Sequence, residues 1–245
     1  MITSVKNQKV KEWKKLHKKK YRDQYGLFLV EGYHLVEEVV NSDWEVKELI
    51  VQEETRMPVS YEGKKELVSE AVMKEITETE TPQGIMAVVY KKEERVETGS
   101  RFLLLDTIQD PGNLGTLIRT ADAAGFDAVL IGRGSADRFN DKVVRATQGS
   151  MFHDMKVIEV SLEDEIPLLK SRGVAVWGTA LHGAGDYSEL KRPQKVAILL
   201  GNEGNGVREE LLGLSDDRVK IPIYGEAESL NVAVAGGILM FAVNQ

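Results

Sequence analysis

Cysteine is absent from this chain, which removes disulfides, thiolate metal sites, iron–sulfur clusters and cysteine nucleophiles together. Histidine is scarce: His17, His34, His153 and His182 are the four present, and none stands at the spacing of a zinc site, so no metal is expected. No run approaches about 18 consecutive apolar residues, and no transmembrane helix is expected. The start, MITSVKNQKVKEW, has no apolar stretch behind its charges and does not read as a secretory signal. The default from these absences is a cytoplasmic protein. What is present is ordinary for a folded chain: 42% hydrophobic and 29% charged residues over 245 positions, enough for one large domain or two small ones.

Acidic side chains outnumber basic ones, for a net charge of −7, yet the balance is uneven along the chain. Residues 1–22 hold nine basic side chains (Lys6, Lys9, Lys11, Lys14, Lys15, Lys18, Lys19, Lys20 and Arg22) against Glu12 alone. A basic arm on an acidic body is the electrostatic footprint of a nucleic-acid partner; the plainer alternative is a solvated lysine-rich helix. Lys6 to Lys19 reads as one helix whose Val10, Trp13 and Leu16 share a docked face. Strands are expected at 26–30, 44–51 and 85–90, a helix at 31–41, and helical pieces over 64–77. The charged stretch ending in Gly99-Ser100 reads as a linker, dividing the chain into residues 1–95 and 96–245.

Beyond it, apolar strands alternate with helices. Strands are expected at 102–105, 128–131, 156–160, 174–177, 196–200 and 218–223, with helices at 113–124, 139–148, 162–172, 207–213 and 229–243. That alternation specifies an α/β domain with a mostly parallel sheet covered on both faces, in which ligands bind beyond the carboxyl ends of the strands.

Three loops at such strand ends could carry chemistry. In the first, Pro111-Gly112 reads as a turn and Asn113 as the N-cap of a helix with Leu114, Leu117, Ile118 and Ala121 on its apolar face, leaving Arg119 at the edge. The second, Gly201-Asn202-Glu203-Gly204-Asn205-Gly206, is glycine-rich after a strand, as where backbone approaches a ligand. It lacks the lysine ending of a phosphate loop and the GxGxxG fingerprint, and Glu203 would repel phosphates. In the third, Ser229 can cap the last helix, whose Ala233, Ala235, Gly236 and Gly237 permit close packing.

In their order and wording these loops resemble the motifs of the SpoU (TrmH-like) class of SPOUT RNA methyltransferases. The first resembles its N-x-G-x-x-x-R core through Asn113, Gly115 and Arg119. The second resembles LG-x-E-x-x-G through Leu200, Gly201, Glu203 and Gly206. The third resembles IP-x-x-G…SLNV-x-VA through Ile221, Pro222, Gly225, Ser229, Leu230, Asn231 and Val232, with Ala233 where many members carry serine. Thr81 to Ala87 resembles the family's interdomain segment, and residues 6–32 its small ribosomal-protein-like RNA-binding domain.

The resemblance implies methyl transfer from S-adenosylmethionine to a ribose 2′-hydroxyl in RNA. It also implies a trefoil knot in the second domain and a homodimer whose sites draw on both subunits. rRNA is the first-choice substrate and tRNA the alternative. The cofactor contacts, largely backbone, fall on Gly201, Ile221 and Leu230, with Ala180 and Leu181 in the loop after strand 174–177. Asn113, Glu203, Ser229 and Asn231 would position the ribose, the arginine and the cofactor loops. Arg119 is a poor base, its pKa being above about 12, so its expected work is to bind the neighbouring phosphate and polarise the hydroxyl. Lys14, Lys15, Lys18 and Lys19 are the expected RNA contacts. A non-catalytic RNA-binding module would not need the polar set, and a dehydrogenase-type nucleotide fold would need the missing GxGxxG.

Overall fold

The computed structural model describes residues 1–244 and divides the chain into two compact units, Met1–Glu93 with Asp137–His153, and Glu94–Ala136 with Asp154–Gln245.

The first unit opens with α1 (Gln8–Lys15), capped by the Asn7 side chain, then α2 (Lys19–Tyr25), which ends on left-handed Gly26. The single helix expected over Lys6 to Lys19 is thus two helices. The break has a physical cause. Arg22 is buried, and its Nη1 donates to the carbonyls of Leu16 and His17 at 2.8 Å each, taking acceptors that a continuing helix would use. Next come β1 (Leu27–Glu31), α3 (Tyr33–Asn41), β2 (Val46–Gln52), β3 (Lys65–Val68), α4 (Glu70–Ile76) and β4 (Ile85–Tyr90). The sheet order is β1-β4-β2-β3, with β4 antiparallel to both neighbours and β3 parallel to β2. Of the stretch 64–77, expected to carry helical pieces, residues 70–76 are helical and residues 65–68 are an edge strand. Pairing with β2 decides that segment, because its own pattern of charges and two apolar residues is ambiguous. Val10, Trp13 and Leu16 all pack into the core formed with β1, β2, β4 and α4, as their spacing predicts.

The chain enters the second unit with β5 (Arg101–Leu105), α5 (Pro111–Ala123) and β6 (Ala128–Gly132). It then returns residues 137–153, with α6 (Asp141–Thr147) and a 3₁₀ turn at Ser150–Phe152, to the first unit. The units are therefore not contiguous in sequence, unlike the division at 95 and 96 expected from the charged linker. Phe139 and Phe152 explain the return: they meet Phe28 and Trp44 in an aromatic cluster with ring centroids 4.7–6.5 Å apart. Asp137 pairs with Arg22 at 2.6 Å.

The second unit continues with β7 (Lys156–Val160), α7 (Leu162–Ser171), β8 (Ala175–Thr179), β9 (Gly185–Asp186), β10 (Val196–Leu200), α8 (Glu209–Leu212), β11 (Asp217–Lys220) and α9 (Val232–Ala242). The strands form one parallel sheet in the order β7-β6-β5-β10-β8-β11-β9. β5, β6 and β10 are buried along almost their whole length, which is why they read as unbroken apolar runs. α9 packs against α5 and β10. A Cβ on Gly236 would come within 2.5 Å of the Leu117 side chain and 2.8 Å of the Leu200 side chain, so glycine lets α9 approach without displacing them. Among the described residues no helix is long and apolar enough to cross a membrane.

Candidate active site

Because every strand of the second sheet runs the same way, the loops after β5, β8, β10 and β11 emerge along one edge. Those after β8, β10 and β11 line a cleft of about 730 Å³. Gly201, Ile221, Leu230, Ala180 and Leu181 all lie on its wall, as do Ser229, Asn231 and Glu203.

The turn after β10 is built by a residue that the motif reading passes over. Asn202 and Gly206 exchange backbone hydrogen bonds at 3.0 and 2.9 Å. The Asn202 Oδ1 accepts from the amides of Gly204 (2.9 Å) and Asn205 (3.1 Å), and its Nδ2 donates to the Thr107 carbonyl at 3.0 Å. Its signal in the sequence is an asparagine opening a glycine-rich turn, a residue type that bonds its own backbone two positions on. Gly201 is pressed against this turn, and a Cβ there would stand 2.1 Å from the Gly206 carbonyl carbon and the Val207 nitrogen. Beyond the turn, the Arg208 amide and Nε each donate to fully buried Asp106 at 2.9 Å, and its Nη1 donates to Glu163 at 2.7 Å. This clamp ties the loop exit to the end of β5.

Helix α5 begins one turn earlier than expected. Asp110 is its N-cap, accepting from the Asn113 amide at 2.7 Å, with Pro111 as the first helical residue. Aspartate followed by proline is the usual start signal, so the information was present in the Asp-Pro pair. Leu114, Leu117, Ile118 and Ala121 are all fully buried, as their spacing predicts. Asn113, released from capping, has its side chain free for other work. Its Nδ2 donates to Glu203 Oε1 at 3.1 Å, and its Oδ1 accepts from Asn231 Nδ2 at 3.0 Å. Asn231, not Ser229, caps α9, its Oδ1 accepting from the amides of Ala233 (2.9 Å) and Val234 (3.3 Å). Asn231 stands immediately before the first helical residue, the position a cap requires, whereas Ser229 lies two residues further back.

One polar chain, Glu203–Asn113–Asn231, therefore fastens all three motif loops to one another. Glu203 also accepts from the Gln109 and Asp110 amides at 3.4 Å each, at the positive end of α5. Partial burial pushes its carboxyl pKa up. The hydrogen bonds from Asn113 and from the backbone amides of Glu203, Gln109 and Asp110 outweigh that, and the net position is below the usual glutamate value. Glu203 is an ionised acceptor here and a weak base.

Two expected groups lie elsewhere. Ser229 stands exposed on the cleft wall, outside the polar chain. Arg119, expected to act on the hydroxyl, is exposed on α5 and is not part of the cleft wall of its own chain. The reason is angular. Six residues on an α-helix carry a side chain through about 600°, so Arg119 leaves α5 well round from Asn113. On the first unit, Lys14 is ion-paired with Glu75, Lys15 is half-buried with its ammonium 5.4 Å from the Tyr21 ring, and Lys18 and Lys19 are exposed. Of the other arm charges, Lys9 is ion-paired with Glu66 and Arg22 with Asp137. Among the described residues no group of three or more His, Asp or Glu side chains is placed to hold a metal ion.

Three motif loops bonded together at the carboxyl ends of a parallel sheet, two of them lining a cleft, define an α/β domain of the methyltransferase class that the motifs resemble. The chain belongs to the SpoU rRNA Methylase family, whose model matches residues 100–241, while an MRM3-like substrate binding domain matches residues 7–87. It is 50% identical over 242 residues to the 23S rRNA (guanosine(2553)-2′-O)-methyltransferase RlmP of Bacillus subtilis, covering 98% of this chain and 97% of that one. Among solved structures it resembles the AdoMet-bound rRNA methyltransferase of Sinorhizobium meliloti, with 33% identity and a TM-score of 0.90 over 99% of this chain and 96% of that one. It also resembles the SpoU methyltransferase AviRb of Streptomyces viridochromogenes in complex with AdoMet, with 26% identity and a TM-score of 0.89 over 97% of each chain.

Proposed function

We propose that this protein transfers a methyl group from S-adenosylmethionine to a ribose 2′-hydroxyl of RNA, with rRNA as the substrate. The observation that carries this reading is the Glu203–Asn113–Asn231 chain, which ties the first motif loop to the two motif loops that line the cleft. A module that only bound RNA would have no use for it. The near full-length likeness to an enzyme named for 23S rRNA favours rRNA over tRNA.

The cleft suits the cofactor. Its volume is within the usual range for small-molecule sites. Ile221, Leu230 and Leu181 offer apolar contact, Gly201 and Ala180 bring backbone close, and the carboxylates of Glu203 and Glu228 suit a cationic ligand. When bound, S-adenosylmethionine supplies a methyl group already activated on a positive sulfur, so the reaction needs no metal. The protein's part is to orient the hydroxyl in line and ease the loss of its proton. Glu203, held ionised, serves as an anchor for the Asn113 amide and the start of α5. Asn113 and Asn231 fix the loops that shape the ribose site, and Ser229, exposed on the cleft wall, helps position the ribose. Arg119 binds the phosphate beside the target ribose and polarises the 2′-hydroxyl.

Arg119 does this for the cleft of a second subunit, since it does not line that of its own chain. Helix α9 supports a homodimer: Val234, Ile238 and Phe241 leave an apolar stripe at the surface, with Val234 52% and Phe241 50% exposed. The trefoil knot expected for the family is supported by the path of the chain. After β11, near the sheet edge, it returns through 221–231 to lay α9 beside α5 and β10 in the interior of the strand order. The cytoplasm is the proposed location. The test is transfer of labelled methyl from S-adenosylmethionine to rRNA by the purified protein, with ribose methylation mapped in cells with and without the gene. A methylation map that is the same in both would refute the assignment.

A further inference from the structure

We propose that Tyr21 and Tyr25 form a stacking platform for an unpaired nucleobase of the RNA substrate. This rests on the reading of RNA as substrate and adds a recognition site to it. The two residues lie one turn apart on α2, and their rings stack on each other with centroids 6.1 Å apart and planes 17° from parallel. Tyr25 is 39% exposed. Ammonium groups flank Tyr21: Lys15 Nζ lies 5.4 Å and Lys20 Nζ 5.9 Å from the centre of its ring, and exposed Lys18 stands just before the helix. The acid nearby, Asp23, is engaged by Lys91 at 2.6 Å and Lys19 at 3.9 Å. A third tyrosine, Tyr90, 38% exposed, pairs across the sheet with Leu27, two residues after Tyr25, at the same end of the sheet.

Neither ring belongs to the buried core. Helix α2 buries only Arg22, and the core beneath it is built from Val10, Trp13, Leu16, Leu27 and their neighbours, without either tyrosine. Aromatic faces flanked by lysines meet the two demands of single-stranded RNA at once: a π-surface for the base and cations for the phosphates beside it. Duplex RNA keeps its bases stacked inside and offers the rings nothing, so the platform selects loops, bulges or ends. Several charges of the basic arm are already absorbed by Glu66, Glu75 and Asp137, whereas Lys15 and Lys20 stand beside the Tyr21 ring.

The test uses the full chain and two RNA probes: a hairpin carrying 2-aminopurine in an unpaired loop, and the same sequence closed as a duplex. Wild-type protein should quench the loop fluorophore on binding. The double variant Tyr21→Ala/Tyr25→Ala should lose roughly 5- to 150-fold in hairpin affinity, the range for stacking of one base on an aromatic ring, with the salt slope, duplex binding and cofactor binding unchanged. Tyr21→Phe/Tyr25→Phe keeps the rings and should restore both affinity and quenching. Lys15→Gln/Lys18→Gln should instead flatten the salt slope. Hairpin binding and quenching at wild-type level in the alanine variant, or an equal loss on hairpin and duplex, overturns the platform. Failure of the wild-type protein to bind either RNA removes the reading beneath it as well; wild-type binding with an indifferent alanine variant removes the platform alone.

Discussion

Replacing Asn113 by alanine isolates the polar chain that joins the motif loops. The helix start survives, because Asp110 caps the backbone amide of residue 113 and not its side chain. Helix α9 survives too, since Asn231 caps it through Oδ1 while only its Nδ2 meets Asn113. Two hydrogen bonds are lost. The one between neutral amides contributes about 1 kcal/mol. The one to Glu203 would contribute about 1.5–3 kcal/mol if buried; the carboxylate is exposed, so about 1 kcal/mol is the fitting figure. The sum, about 2 kcal/mol, corresponds to a fall in melting temperature of roughly 4–8 °C for a chain of this size.

The loss depends on pH in a definite direction. The folded-state pKa of Glu203 lies below its ordinary value of 4.5, so the stability linked to it is present above that value. It fades as pH falls through the lowered folded-state pKa. The gap between wild type and Asn113→Ala should therefore be full at neutral pH and shrink on acidification below 4.5. Asn113→Asp sharpens the test. It can still accept from Asn231, but it sets a second carboxylate against Glu203, so it should be worse than alanine at neutral pH and recover part of the difference in acid. Thermal melts across pH, read beside methyl-transfer rates, measure both effects. Equal melting of wild type and Asn113→Ala at neutral pH, or a gap that ignores pH, would refute the reasoning.

Gly201→Val should abolish cofactor binding by calorimetry while RNA binding in a shift assay persists, because a Cβ 2.1 Å from the Gly206 and Val207 backbone forces the loop open. Arg119→Ala should lower single-turnover methylation about 10²-fold or more at saturating cofactor and RNA, with Arg119→Lys nearly as slow, because a point charge lacks the guanidinium fork. Wild-type rates for either variant would remove Arg119 from the reaction. Phe241→Glu, in the exposed apolar stripe with Val234 and Ile238, should yield monomers in sedimentation and lose activity, while cofactor binding to the isolated cleft is retained in part.

Much of the second unit was legible from periodicity alone. Unbroken apolar runs such as Phe102–Leu105 and Val196–Leu200 are strands buried on both faces, and parallel pairing is the arrangement that buries them so. The cleft wall at Gly201, Ile221 and Leu230 follows from motif wording, since loops after parallel strands must share an edge. Tertiary structure decided what local chemistry left open. Asp110 and Asn113 are both good caps, and only the position of Glu203 and Asn231 shows that Asn113 is needed elsewhere. Arg22 counts as one more positive charge in the sequence, but burial against Asp137 makes it the clasp that breaks a helix and holds residues 137–153. β3 exists because β2 offers it an edge, and Phe139 joins the first unit because Phe28 and Trp44 leave room for its ring. Periodicity records which face of an element is buried. The partner that buries it can lie more than a hundred residues away, as Asp137 does from Arg22, and only the folded chain names it.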